Sequence, residues 1–284
     1  LLSNPNFYFQ NELGKFRNKG NSRYLGFPTP EAFDSQDYDL AYEKYQERFA
    51  NAGDFTFYFV GNIDEAKLKE FASTYLASLP SNGEKEEYKV PEFREVNEYR
   101  KKVINKGTDP KSQVTIIWNG ETGYSEDEDF ALGALGEVLT IKLVEQLREE
   151  EGGVYGVGAR GTMSKIPYGS YNFSISFPCG PENVDKLTAA ALAEVEKIKT
   201  EGPSEKDMAK IKESLLLNRK ESLKQNRFWL NQLSAAEREE KDINDLLQFE
   251  EKVAALTLKD LKDVANTFLN EKYLLGILMP EELE

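Results

Sequence analysis

Between Ser125 and Glu150 the leucines fall at positions 132, 135, 139, 143 and 147, a spacing of three or four that lines one face of an α-helix. The stretch opens on SEDEDF. Ser125 and Glu128 have the spacing of a capping box, and the acidic residues at 126–129 sit where the helix dipole favours negative charge. Gly152 and Gly153 stop it. Strand-like runs lie on both sides: EYRKKVIN and SQVTIIW before it, and stretches near 154–163 and 168–177 after it. Strands and helices interleave, but several strands are consecutive, a pattern that suits α+β better than a regular β-α-β repeat. It predicts an α+β fold.

The remaining segments extend that reading. Phe7–Arg17 reads as a helix. In PTPEAF, Thr29 can cap a helix and Pro30 suits its first position. Tyr38, Ala41, Tyr42, Tyr45 and Phe49 then give one apolar helical face. FTFYFV, residues 55–60, is aromatic and β-branched with only Thr56 polar, and predicts a central, buried strand. GNID turns the chain into a helix carrying Leu68, Phe71, Ala72, Tyr75, Leu76 and Leu79, which Pro80 ends. Together the helices at 38–50 and 64–79 are expected to cover one face of that strand's sheet. Residues 80–95 are polar with two prolines and read as a linker, dividing the chain into units at 1–90 and 91–284. Helices follow GPENV and GPSEKDM, the latter with a bend near Asn226–Asn231. A helix capped by Thr257 and a strand YLLGILM complete the chain. GNIDEAKL at 61–68 and GPENVDKL at 180–187 share Gly, Lys and Leu at matching offsets, each between an apolar strand and a helix, as a duplicated unit would.

Missing residues bound the chemistry. The chain has no histidine and one cysteine, Cys179. Ser-His-Asp and Cys-His catalysis, His-ligated zinc and an intrachain disulfide are therefore excluded. Cys179 reads as a small buried residue. GGVYGVG at 152–158 lacks the pattern of a phosphate loop. The acidic runs at 126–129 and 149–151 read as solvated helix ends. With 36 basic and 50 acidic residues the net charge is −14, which disfavours nucleic acid as a partner. The apolar run Tyr273–Met279 is far too short to span a bilayer. The chain begins at Leu1 without a signal-peptide pattern, as though cut from something longer.

The segment LVEQLREEEGGVYGVGARG, 143–161, ends a Leu-rich helix with Arg148, turns on a Gly pair and restarts at Tyr155. It resembles the non-catalytic half of the pitrilysin/insulinase (inverzincin) zinc metallopeptidases. YEKYQERFANAGDFTFYFVGNIDEAKLKEFASTYLASLP, 42–80, is similar to the unit that ends one domain of that family, and SQVTIIWNGE with the long helix to the start of the next. The resemblance spans roughly residues 20–200. It implies two related α+β units: the C-terminal part of one peptidase-like domain over 1–90 and a second domain over 91–284. It implies peptide hydrolysis at a zinc site located elsewhere, on an H-x-x-E-H helix that has no counterpart here. The partner would be an N-terminal catalytic half or a subunit carrying the zinc, the substrate a peptide, and this chain alone inactive and without cofactor. A bacterial envelope or periplasmic location follows from the resemblance only. Carried over, Arg148 and Tyr155 contact the substrate backbone, and the Tyr155 hydroxyl assists at the oxyanion. Either residue also has a plain structural role, an Arg stabilised at a helix C-terminus and a Tyr packed at a strand start. Two rivals remain: a non-catalytic structural or peptide-binding subunit of the same fold, and an unrelated binding module.

Overall fold

The computed structural model describes residues 2–150, 154 and 156–281. In chain order the elements are α1 (Pro5–Arg17), α2 (Pro30–Asp34), α3 (Tyr38–Phe49) and α4 (Glu65–Phe71, widened to π-type turns over Ala72–Leu76). Next come β1 (Arg100–Asn105), β2 (Ser112–Glu121) and α5 (Glu126–Leu143, widened over Val144–Glu150). Then follow β3 (Gly158–Ser164), β4 (Ser170–Cys179), α6 (Val184–Glu201), α7 (Glu205–Ser222), α8 (Asn226–Glu239), α9 (Phe249–Ala255), α10 (Leu258–Phe268) and β5 (Leu274–Met279). The α+β class is as the sequence implies. Leu1–Phe27, Val90–Leu216 and Glu250–Glu284 make one compact unit; Pro28–Lys89 and Leu217–Phe249 make a second.

The first unit is built on a five-stranded sheet in the order β1-β5-β2-β4-β3. Only β1 and β5 run parallel; β5 with β2, β2 with β4 and β4 with β3 are antiparallel. Ile116 stands opposite both Ile175 and Leu275. Period-two alternation decides the faces. Val114, Ile116 and Trp118 on β2 join Tyr171, Phe173, Ile175 and Phe177 on β4 in the main core. There they meet the leucines of α5 and apolar residues of α6 and α10, such as Leu187, Ala191, Leu261 and Phe268. The five α5 leucines are fully buried, each contributing roughly 2 kcal/mol by area. Trp118 donates its indole N–H to the Asn270 carbonyl at 2.8 Å, so its one polar atom is satisfied inside. Part of the opposite sheet face is covered by α1, whose Phe9 and Leu13 pack on Ile104, Ile117, Leu274 and Leu278.

Capping follows the sequence signals. Asn4 accepts from Asn6 and Phe7 ahead of Pro5. Ser125 Oγ accepts from the Glu128 N–H at 3.3 Å, and the complete reciprocal box forms at Thr257 and Asp260. The long charged helix breaks after Ser222 and restarts at Asn226, close to the expected bend.

The second unit departs from expectation. Phe55 has strand-like angles (φ −96°, ψ 140°), yet residues 55–60 pair with no strand, and Phe57 and Phe59 are 45% and 48% exposed. The central, buried strand expected for FTFYFV is therefore corrected, and so is a sheet for α3 and α4 to cover. All five strands belong to the first unit, and a strand exists only where a neighbour supplies its ladder. Aromatic residues form a run of contacts instead. Tyr38, Tyr42, Tyr45 and Phe49 stack along α3 with ring centroids 4.7–6.4 Å apart. Phe49 meets Phe55 edge-on at 5.5 Å. Further along, the Arg219 guanidinium lies over Phe228 and Phe249, and Trp229 donates to the Leu223 carbonyl at 3.0 Å.

Candidate functional site

The expected site is the turn that joins α5 to β3. Helix and strand run antiparallel and are clamped at two levels. Asp129 accepts from the Met163 N–H at 2.6 Å near the start of α5, and Thr140 Oγ1 accepts from the Ala159 N–H at 2.9 Å near its end. Glycines permit the close approach. A Cβ on Gly161 would stand 2.5 Å from the Leu132 carbonyl oxygen and 2.6 Å from the Phe173 ring. One on Gly136 would stand 3.0 Å from the Ala159 oxygen. Since Thr140 already lies level with the start of β3, Arg148 projects past the sheet end, where β3 begins and β4 finishes.

Arg148 is exposed, two turns beyond Thr140. Tyr155, Gly152 and Gly153 lie outside the described residues. The strand expected from Tyr155 onward begins at Gly158, after a buried Val154. Pairing of the Arg148 and Tyr155 side chains therefore stands as a proposal, taken up below.

An ion network secures the helix just before Arg148. Lys142 Nζ lies 2.9 Å from Glu145 and 3.1 Å from the buried Asp207, while Lys210 reaches Glu145 at 3.7 Å. Glu145, helped by Asp207, holds the Lys142 ammonium above its ordinary range. Burial pushes the Asp207 carboxyl up, but hydrogen bonds from Ser204 and Lys142 outweigh it and leave the pKa below the usual 3.8. Ser204 Oγ also accepts from the Asp207 N–H at 3.1 Å, so Ser204 caps α7 while the Asp207 carboxylate ties α7 to α5 through Lys142.

A second feature escaped the sequence reading. Beyond α1, the sheet face opposite the main core is polar. Its rows are Thr115–Ser176–Gly158, Ile117–Ser174–Arg160 and Asn119–Asn172–Thr162. Gln113 and Thr115 both bond the Ser176 hydroxyl, at 2.9 and 3.0 Å. Past the Asn119 row a polar cavity of about 520 Å³ is lined by Arg17, Arg94, Asn119, Ser164, Tyr168 and Asn172, at the sheet end away from Arg148. The signal was present in β4, SYNFSISFPC, where Ser and Asn alternate with aromatic and aliphatic residues.

No group of three His, Cys, Asp or Glu able to hold a metal occurs among the described residues. The chain has no histidine and its one cysteine, Cys179, is buried, so it is poor in the imidazole and thiolate donors zinc prefers. Burial raises the Cys179 thiol to about 11, with Glu182 adding to the effect, so little thiolate is present at neutral pH. No helix of the described residues is long and apolar enough to cross a membrane.

Comparison with known proteins places this geometry. The model of the peptidase M16 inactive domain matches residues 41–215. A zinc protease PQQL-like protein of Arabidopsis thaliana is 24% identical over 209 residues, covering 68% of this chain and 22% of the relative. A probable zinc protease PqqL of Haemophilus influenzae is 26% identical over 157 residues, covering 55% of this chain and 16% of the relative. The chain thus spans about a quarter or less of the length of the curated relatives it matches. Among solved structures, the periplasmic protease PqqL from Escherichia coli superposes with a TM-score of 0.80 at 19% identity, over 99% of this chain and 31% of that one. A peptidase M16 inactive domain from Pseudomonas fluorescens gives 0.75 at 19% identity, over 99% and 67%. The chain belongs to the M16 (pitrilysin/insulinase) peptidase family and carries its inactive domain.

Proposed function

We propose that this chain is the zinc-free C-terminal half of an M16-type peptidase, forming chamber wall and substrate contacts for peptide hydrolysis at a zinc site carried by an N-terminal catalytic half. Residues 1–90 belong to the end of one domain and 91–284 to a second, with α1 reaching onto the second domain's sheet. The observation that carries the reading is the family match across 41–215 in a chain with no histidine. Such a chain has no residues for the metal step and must act on substrate by shape and hydrogen bonding.

In this reading Arg148 and Tyr155 are the substrate contacts. The exposed guanidinium at the end of α5, a helix that the Lys142–Asp207 contact ties to α7 six residues earlier, offers a planar fork to peptide carbonyl or carboxylate oxygens. The Tyr155 hydroxyl would donate to the oxyanion that develops on the scissile carbonyl; zinc held by the other half would supply the Lewis acid.

Steady-state kinetics in the assembled peptidase tests this, with melting curves as a folding control. Tyr155→Phe is expected to cost about 2–4 kcal/mol of transition-state binding with little change in folding. Arg148→Ala is expected to raise KM and lower kcat, since it removes a contact present before and during reaction. The two should be non-additive if they grip one peptide segment. Wild-type turnover in folded Tyr155→Phe would instead favour the non-catalytic subunit.

A further inference from the structure

Asn119, near the end of β2, is 4% exposed, and its Nδ2 is buried without a hydrogen-bond partner. Such a donor forfeits the hydrogen bonds it had in water, and native proteins leave few of them. The same sheet face shows the completed alternative: two rows away, the Ser176 hydroxyl bonds both Gln113 and Thr115. Asn119 shares its row with Asn172 and Thr162, and all three line the cavity of about 520 Å³ at that end of the sheet. Every lining residue belongs to the first unit. The volume is that of a small-molecule site. The last torsion of a carboxamide is broad and roughly two-fold, so Nδ2 can turn to meet a ligand at little cost.

The rest of the lining restricts what that ligand can be. Arg17 donates to Glu95 through Nε and to Asn172 Oδ1 through Nη2, both at 2.7 Å. A guanidinium only donates, so Oδ1 of Asn172 must face Arg17, and the amino group of Asn172 faces away from it. Arg94 is tied to Glu121 at 3.0 Å and to the Pro91 and Phe93 carbonyls, and it stacks 3.9 Å from the centroid of Tyr168. Both arginines are therefore fixed walls already paired with carboxylates. Lys272 is exposed, and its ammonium has no ion pair among the described residues. Three cations against two carboxylates leave the lining one uncompensated positive charge. Amide and ammonium donors with one spare positive charge fit an acceptor group of one negative charge. A phosphate carries close to two charges and would crowd Glu95 and Glu121, whereas a carboxylate carries one.

We propose that this cavity is a carboxylate-binding site: Asn119 and Asn172 donate to the carboxylate oxygens, and Lys272 neutralises the charge. The carboxylate is the C-terminus of a peptide or a small free acid. The site lies at the opposite end of the sheet from Arg148 and needs neither a zinc-bearing half nor peptide hydrolysis, so it stands apart from the function proposed above.

Isothermal titration calorimetry on the 284-residue chain tests this, with N-acetyl-trialanine bearing a free C-terminus, the same peptide as its C-terminal amide, and acetate as probes. The free tripeptide should bind at a single site, and its amide about tenfold or more weakly. Asn119→Asp puts a like charge where the donor stood and should weaken the free tripeptide about tenfold or more; Lys272→Gln should weaken it about three- to tenfold. Because Lys272 is exposed, the second variant keeps the test decisive if Asn119→Asp does not fold. In NMR spectra the Asn119 carboxamide resonance should shift with the free tripeptide and stay in place with the amide. Acetate binding as tightly as the tripeptide, and weakened by the same variants, supports the carboxylate and assigns it to free acids; much weaker acetate binding assigns it to peptide ends. Equal binding of the free and amidated tripeptides would remove the carboxylate from the site. An absence of binding at millimolar concentration would leave the Asn119 donor to water, and binding untouched by both variants would place the ligand elsewhere; either result overturns the proposal.

Discussion

Ser170–Cys179 and Phe55–Val60 read alike as strands, and each runs into a glycine, a turn and a helix. The first lies in the middle of a sheet with Phe173, Ile175 and Phe177 fully buried; the second has no neighbour and leaves two phenylalanines in solvent. The contrast separates two properties that apolar patterning merges. Patterning states that a segment is suited to burial on a pleated surface, whereas burial itself comes from partners distant in sequence. β4 finds its neighbours at β2 and β3 within this chain, and Phe55–Val60 does not.

If the first unit owns its core and the second encloses none, matched truncations should differ most. Leu139→Ala, at a fully buried position of α5, should cost about 2–5 kcal/mol in chemical denaturation of the isolated chain. Tyr75→Ala, at a position 66% exposed, should change stability by no more than about 0.5 kcal/mol. Equal losses would erase the distinction. A middle-sized effect tests how tightly the first unit is closed. Gly161→Ala pushes a methyl against Leu132 and Phe173 and should cost about 1–3 kcal/mol, whereas Gly123→Ala meets nothing within 4 Å and should leave Tm unchanged. The smallest effect is on pH. Because the folded pKa of Asp207 is lowered, its stabilisation is complete above the ordinary value of 3.8 and is lost as pH falls through the folded value. Asp207→Asn should therefore flatten the acid limb of the first unit's stability curve, as read by thermal melts between about pH 2 and 5. An unchanged acid limb would show that the Lys142–Asp207 contact does not stabilise the unit.

The first unit was legible because its signals are local and redundant. Five leucines at helical spacing, Ser125 at the cap and Thr257 with Asp260 each specify α5 or α10 without reference to anything distant. The polar rows on the open sheet face were less visible, since Ser174 and Ser176 become a surface only when register sets them beside Thr115 and Ile117. Residues 55–60 misled for the complementary reason: their composition describes the environment they are suited to, and no strand of the described residues supplies it. The site residues divide similarly. Arg148 was placed at a helix end by the leucine repeat and is found there. Its geometry with Tyr155 depends on a glycine turn for which periodicity offers no rule.

The two tryptophans happen to be shared one to each unit. Trp118 is 1% exposed in the core of the first, and Trp229 is only partly covered in the second. Their emission therefore reports on different parts of the molecule, the first blue-shifted and shielded from iodide, the second redder and open to quenching. With Trp229→Phe the remaining fluorescence follows the sheet unit alone, and with Trp118→Phe it follows the coreless unit alone. A single polypeptide thus carries two intrinsic optical channels, and the order in which they change on heating, or on meeting a partner, can be read without any attached dye.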